Sequence, residues 1–310
     1  MSKKIFTLKT KDETTVEVVR FGSGKPQVLF IAGMHGDEKT GSQILDRLTN
    51  EIDSKEVEGT VDVIKVANPK AYNANQRLHP VDQKDLNRNF PSLGGNTPAD
   101  YLTDILGKFA LSHDLVVDLH TFPNQISPLV GVSLSVGSEE KRKESNELLK
   151  SIDLDLIWFL DTQKTEPHKG GSICDLALKN NITAFGLELP PDELVNQNQI
   201  VRTINGLLAV LEKLGVINRE ESEKPTKQIP VYERDVRKSS DEGCFIPQKE
   251  IMTSVVKDEV IGEITNQQTG ETKKIVSPAD GILLTVSKKR MIKKGEKLFV
   301  LGKKFVGSLD

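Results

Sequence analysis

Apolar residues recur along this chain with two different spacings, and the way those spacings alternate predicts its architecture. Up to about residue 20, Ile5, Phe6 and Leu8, then Val16, Val18 and Val19, flank the polar Lys11-Asp12-Glu13 and read as a β-hairpin or sheet edge. Short apolar runs follow at Val28–Ala32, Val61–Ala67, Leu115–Leu119, Leu129–Val136, Leu156–Leu160 and Ala184–Leu189. Between several of them lie longer segments with helical period, Thr40–Ile52, Ala99–Leu111, Glu139–Ile152, Ser172–Lys179 and Asp192–Leu214. Strands interleaved with helices predict an α/β fold with a mostly parallel or mixed sheet and helices on both faces.

Two stretches break the pattern. The connection from Asn68 to Pro98 is polar, rich in Asn, Gln and Pro, and has no clear period. A loop that long inside a compact domain usually carries function. After Leu214 helical periodicity ends. Asn218 to Lys227 reads as a charged linker, followed by short strands with turn signals at Glu242-Gly243, Thr269-Gly270, Asp280-Gly281 and Lys294-Gly295. The expected division is residues 1–224 as one domain and 225–310 as a small C-terminal all-β, barrel-like domain.

Composition narrows the function classes. A chain of 310 residues can hold one large domain and a smaller one. With 28% charged and 5% aromatic residues it has an ordinary soluble profile, and a net charge of −3 gives no reason to expect nucleic acid as a partner. The N-terminal residues lack the apolar core of a signal peptide, and no stretch approaches the ~18 apolar residues of a membrane span. Cys174 and Cys244 are far apart in no metal-like spacing, so a reduced, cytoplasmic setting is expected. Lys288-Lys289-Arg290 and Lys293-Lys294 read as solvated hairpin and edge charges.

Candidate chemistry starts at His35-Gly36-Asp37-Glu38, directly after the run ending Ala32-Gly33. An imidazole and a carboxylate three residues apart project to one side, and one further ligand plus water would complete an open catalytic zinc site. Alone the spacing is common in a chain with 45 acidic residues, and Asp37 and Glu38 would also suit a helix N-terminus. His120 ends the apolar strand Val116–Leu119 and falls on the same sheet edge if the strands are parallel. Inside the long polar loop, Asp85-Leu86-Asn87-Arg88-Asn89-Phe90-Pro91 offers Arg88 and Asn87 to hold a carboxylate, and Asp85 to accept the second ring proton of a ligand histidine. His79 and His113 have no metal-like spacing and read as structural, and His168 as a loop histidine.

Taken in order, His35-x-x-Glu38, Asn68-Pro69, Arg77, Asp85-Leu86-Asn87-Arg88, Phe90-Pro91 and the strand-borne Asp118-x-His120 resemble the zinc carboxypeptidase A-like superfamily. More specifically they resemble the succinylglutamate desuccinylase/aspartoacylase family. The resemblance implies that His35, Glu38 and His120 hold one zinc ion, and that Arg88 with Asn87 grips a substrate carboxylate. It further implies that Arg77 stabilises a developing oxyanion and that Glu188, at the end of Phe185–Leu189, is the general base. The Gly171-Ser172 region would face the substrate, with a backbone donor pair for an anion. The surroundings of Arg77 depart from the aspartoacylase pattern, and Tyr232 is only a weak match to a substrate-gripping tyrosine. Ser277–Leu284 and Ile292–Leu298 resemble half of a biotinyl/lipoyl-like barrel without its carrier lysine hairpin, which suggests a structural or gating role.

The resulting expectation is a zinc-dependent hydrolase of the amide bond in a small N-acyl amino acid, with a small-molecule substrate and neither nucleic acid nor membrane as partner. A zinc carboxypeptidase acting on peptide C-termini is the first alternative. A non-catalytic zinc- and carboxylate-binding protein is the second, and Glu188 argues against it, since a binder needs no base.

Overall fold

The computed structural model describes residues 3–92, 94–161, 171–218, 228–307 and 309. The chain opens with β1 (Lys4–Lys9), β2 (Thr15–Ser23), β3 (Gln27–Ala32), α1 (Thr40–Asp53) and β4 (Gly59–Ile64). Next come α2 (Pro69–Ala74), a 3-10 turn at Leu86–Arg88, α3 (Pro98–Ala110), β5 (Leu115–Thr121), β6 (Gln125–Ile126), β7 (Val130–Leu134) and α4 (Glu139–Leu149). β8 (Leu156–Leu160), α5 (Ile173–Lys179), β9 (Thr183–Leu189) and α6 (Gln197–Lys213) complete the α/β part. Eight strands follow: β10 (Val231–Lys238), β11 (Gly243–Pro247), β12 (Ser254–Val255), β13 (Val260–Thr265), β14 (Thr272–Val276), β15 (Gly281–Ser287), β16 (Met291–Ile292) and β17 (Lys297–Lys304).

The main sheet is mixed, in the order β1-β2-β4-β3-β5-β9-β7-β8-β10-β17-β15-β12, with β6 paired to β15. Its centre, β4-β3-β5-β9, is parallel, so these strands end on one edge. Alternation along each strand sends side chains to opposite faces. Phe30, Val117, Leu119, Phe185 and Leu187 pack with Leu45 of α1, Leu149 of α4 and Leu207 of α6. Leu29, Ile31, Val116 and Ala184 pack on the other face with Leu102 and Leu106 of α3 and Ile173 of α5. Helices thus cover both faces of a mixed sheet, as the alternating periods predict.

Two helix readings shift. α6 begins at Gln197 rather than Asp192, because Asn196 and Gln199 form a reciprocal capping box there while residues 191–195 are taken up in a turn. The loop from Asn68 contains the short helix α2, capped by the Asn68 side chain with Pro69 in its first turn. Six residues are too few for an apolar period to show.

The C-terminal residues form two layers. β10, β17, β15 and β12 extend the main sheet, because β10 pairs in parallel with β8. β14-β13-β11-β16 form a separate antiparallel sheet. Phe245, Ile261 and Ile264 of that sheet meet Leu283, Phe299 and Leu301 of the extension in one small core. A further cluster of Phe122, Val130, Leu156, Trp158, Tyr232, Leu284 and Val300 joins this part to the α/β part.

Candidate metal and substrate site

The corner after β3 is built by two glycines. Gly33 has φ +70°, and a side chain on Gly36 would fall 1.9 Å from the carbonyl oxygen of Ala71 in α2. This tight approach turns His35 and Glu38 inward in the segment before α1 begins at Thr40, so their spacing spans a turn and not a helical turn of α1. Both are buried. His120 and Glu188 come from the neighbouring parallel strands β5 and β9, where they stand directly opposite each other in register. They share the face of Val116 and Ala184, and the register brings both to the edge reached by the corner.

One ligand atom each from His35, Glu38 and His120 lies within 4.8 Å of the others. His35 Nδ1 is 2.8 Å from Glu38 Oε1 and His120 Nδ1 is 2.9 Å from Glu38 Oε2. The outer nitrogens are held by other carboxylates: His35 Nε2 is 3.0 Å from Asp85 Oδ1, and His120 Nε2 is 2.7 Å from Asp118 Oδ2. Each ring is therefore oriented with Nε2 toward an acid and Nδ1 toward the shared centre, the arrangement that leaves Nδ1 lone pairs for a cation. The backbone N–H of Thr121 donates to Glu38 Oε2 at 2.9 Å.

The charges of this group are strongly interdependent. Burial alone would lower both imidazolium pKa values, but for His35 Glu38 and Asp85, and for His120 Asp118 and Glu38, hold them above the ordinary histidine value. Burial would raise Glu38, yet the two histidines hold it well below the ordinary carboxylate range. Such a set, acidic at its centre and buffered by further acids, is suited to a divalent cation. Glu188 differs: burial pushes its carboxyl up, and His120 offsets only part of that.

Arg77 reaches over the same centre. Its Nη1 donates to Glu38 Oε1 at 3.0 Å, and its Nε and Nη2 donate to Asp85 Oδ2 at 3.1 and 2.9 Å. Asn87 is almost fully enclosed. Its Oδ1 accepts from the Ile173 N–H at 3.0 Å, and its Nδ2 lies 2.9 Å from Asp118 Oδ2 and 2.7 Å from His120 Nε2. Arg88 beside it is half-buried and donates to the Asn87 carbonyl at 2.7 Å. All seven residues singled out in the sequence thus belong to one neighbourhood, with Asn87 turned toward the His120–Asp118 pair.

Other expectations change. Gly171 and Ser172 offer no free donor pair: the Gly171 N–H donates to Phe90 O at 2.7 Å, and the Ser172 N–H donates to Asp175 Oδ2 at 2.7 Å in the cap of α5. His168 lies outside the described residues. Tyr232 is packed in the cluster with Phe122 and Trp158. His113 Nε2 is 2.9 Å from the buried Asp62, and His79 pairs with Asp82, both away from the centre.

Sequence reasoning missed two basic residues. Arg234 on β10 and Lys297 at the start of β17 both act electrostatically on Glu188. Strand alternation in β10 places Arg234 on the face of Tyr232, whose register partner is Trp158. Their separation from the motifs by the whole linker left no local signal.

Comparison with solved structures shows the fold. An aspartoacylase family protein of Mesorhizobium loti superposes with a TM-score of 0.80 at 20% identity, covering 99% of this chain and 95% of that one. A succinylglutamate desuccinylase/aspartoacylase of Rhodobacter sphaeroides gives 0.81 at 21%, covering 98% and 96%. The product-bound ectoine utilization protein EutE of Ruegeria pomeroyi gives 0.82 at 18%, covering 96% and 93%. The class defined by fold and site is thus a mixed α/β protein of the aspartoacylase type. Residues 24–214 match the Succinylglutamate desuccinylase/Aspartoacylase catalytic domain, and the chain belongs to that family. Among curated proteins, an N-alpha-acetyl-L-2,4-diaminobutyric acid deacetylase of Halomonas elongata is 37% identical over 110 residues, which span 34% of this chain and 31% of that protein.

Proposed function

We propose that this protein is a zinc-dependent hydrolase that cleaves the amide bond of a small N-acyl amino acid. The observation that carries the reading is the pair of histidines with Nδ1 toward Glu38 and Nε2 tied to Asp85 and Asp118, with Glu188 in register beside His120. His35, Glu38 and His120 would hold the ion. When bound, it would supply Lewis acidity toward the amide carbonyl and lower the pKa of water.

The chain's own residues supply the rest. Glu188, whose carboxyl burial pushes up, takes a proton from the attacking water and returns it to the leaving nitrogen. Arg77 carries a guanidinium beside Glu38 that can stabilise negative charge developing on the carbonyl oxygen. Arg88, half-exposed and without an acidic partner within ion-pair distance among the described residues, grips the substrate carboxylate, while Asn87 braces the His120–Asp118 pair. The family match and the deacetylase relative favour an amide-cleaving role of this kind over a carboxypeptidase.

In the same reading residues 1–224 form the catalytic unit and 225–310 an appended β unit, in keeping with a family match that ends at residue 214. Two unpaired cysteines accord with a cytoplasmic setting, and no helix among the described residues is long and apolar enough to cross a membrane. The test combines metal analysis with a screen of N-acetyl and N-succinyl amino acids against dipeptides. One zinc per chain in the wild type, lost in His120→Ala, with release of free amino acid from the N-acyl compounds, is the expected result. Failure to bind zinc after reconstitution overturns the site, and turnover confined to dipeptides overturns the reaction.

A further inference from the structure

Asp100 lies in the first turn of α3 with 2% of its surface exposed, and its two oxygens have different tasks. Oδ2 accepts from the N–H of Thr97 at 3.1 Å and from its hydroxyl at 2.8 Å, as an acid at a helix start commonly does. Oδ1 accepts from Nδ2 of Asn89 at 3.0 Å, and Nζ of Lys84 donates to both oxygens at 2.7 Å. Lys84 and Asn89 are the residues immediately before and after Asp85-Leu86-Asn87-Arg88. One buried carboxylate therefore holds both ends of the turn that carries the His35 partner, the His120 brace and the carboxylate grip. Burial would raise the Asp100 carboxyl, but Lys84, Asn89 and Thr97 hold it well below the ordinary carboxylate range, so the clamp is ionised at neutral pH. Capping of α3 does not account for this, since a cap needs only the Thr97 contacts and neither Lys84 nor Asn89 belongs to the helix.

The residues between the two ends depend on the clamp unequally. Asp85 is also held by Arg77 and His35, and Asn87 by the Ile173 N–H and Asp118. Leu86 is fixed in the apolar cluster with Leu102 and Leu106 of α3. Among the described residues the Arg88 side chain bonds only to the Asn87 carbonyl of its own turn. Its aim is set by the backbone from which it projects. That backbone is pinned on one side by Lys84 and on the other by Asn89, whose Nδ2 also donates to Thr103 Oγ1 at 3.1 Å. Paired N–H donors grip a carboxylate only in a narrow geometry, so a turn free to shift by about 1 Å would lose much of that grip.

We propose that Asp100 is a positioning residue for substrate binding: through Lys84 and Asn89 it holds the turn that aims Arg88 at the substrate carboxylate. This rests on the deacylase reading above, in which Arg88 makes that contact. Asp100 itself touches neither the metal ligands nor the substrate. Its influence falls on substrates with a free carboxylate and spares the chemical step.

The test uses the full-length, zinc-loaded protein with an N-acyl amino acid that the wild type hydrolyses, and the same compound as its C-terminal amide. Asn89→Ala and Lys84→Met each release one end of the turn and leave the Thr97 contacts of the cap in place. Each is expected to raise KM for the acid by about tenfold, with kcat within about threefold of wild type, zinc at one per chain and the amide unaffected. Lys84→Arg keeps a cation on Asp100 and is expected to retain the wild-type KM. Thr97→Ala removes a cap contact, and is expected to lower Tm without moving KM. An unchanged KM for the acid in either Asn89→Ala or Lys84→Met overturns the proposal. So does an equal loss on the amide, or an equal rise in KM in Thr97→Ala, which is what a structural role alone would give. If the wild type hydrolyses no N-acyl amino acid, the deacylase reading fails separately, and calorimetry with N-acetyl-L-alanine and N-acetyl-L-alaninamide decides the role of Asp100. Acid-selective binding by the wild type that is lost in Asn89→Ala sustains it. Acid-selective binding that is absent from the wild type, or kept in the variant, overturns it.

Discussion

At the scale of single residues, the site is a set of carboxylates that orient histidines. Asp85 and Asp118 touch no reacting atom in the proposed chemistry, yet each fixes which nitrogen of its histidine faces the centre. Asp118→Asn should therefore weaken zinc binding by about 10- to 100-fold without displacing the fold, measured by competition with a chelator. Unchanged affinity would show that His120 is oriented by packing alone. The residues with a local motif, His35, Glu38, Asn87, Arg88 and Asp118-x-His120, were legible in the sequence because each sits beside an apolar run or a dense polar cluster. Asp85 as a partner for a histidine ring was legible too, and the structure pairs it with His35. The Gly171-Ser172 donor pair is not free: a Ser followed three residues later by Asp is the signature of a helix cap, which consumes the Ser172 N–H, while the Gly171 N–H is taken by the carbonyl of Phe90.

At the scale of elements, the strand–helix alternation carried most of the fold, since strand and helix periods are local properties of the chain. What escaped was set by close approach. Gly36 is demanded by the carbonyl of Ala71, in a helix too short for a period to announce. Gly36→Ala should force the corner and α2 apart, costing about 2 kcal/mol in urea denaturation and weakening zinc binding in parallel. A stable variant with normal metal content would contradict this account of the corner. A second element-level network ties β2 to β4 and to the end of α3. Arg20 donates twice to the buried Asp62, at 2.8 and 2.6 Å, and His113 approaches the same carboxylate at 2.9 Å. Burial would raise the Asp62 pKa, but the Arg20 and His113 contacts lower it. A folded pKa below the unfolded value of about 3.9 means the stabilisation is present above that value and fades as pH falls through the folded one. Asp62→Asn should thus be less stable than wild type by about 3 kcal/mol at pH 7, with the gap narrowing below about pH 4. A gap independent of pH would place the effect in packing rather than charge.

At the scale of the whole molecule, the C-terminal strands are tied in by hydrogen bonding and by a shared core. β10 lies on β8, Thr285 donates to Gln125 at 3.0 Å, and Phe122, Trp158, Tyr232 and Leu284 pack together. This long-range pairing had no signature in the sequence, where the composition change after Leu214 spoke only for a separate all-β segment. Removing residues 225–310 would bare the edge of β8 and the apolar faces of Phe122, Val130 and Leu156. The truncated chain should aggregate on size-exclusion chromatography, and a soluble monomer with native near-ultraviolet circular dichroism would contradict that dependence.

The central claim, hydrolysis by water that Glu188 activates beside a His35–Glu38–His120 metal centre, is tested most directly by turnover in Glu188→Gln. The substrate is whichever N-acyl amino acid the wild type hydrolyses, and zinc is measured on the same samples. The account predicts one zinc per chain in both proteins and a fall in kcat of at least about 100-fold in the variant. Wild-type turnover by Glu188→Gln at full zinc occupancy would contradict it.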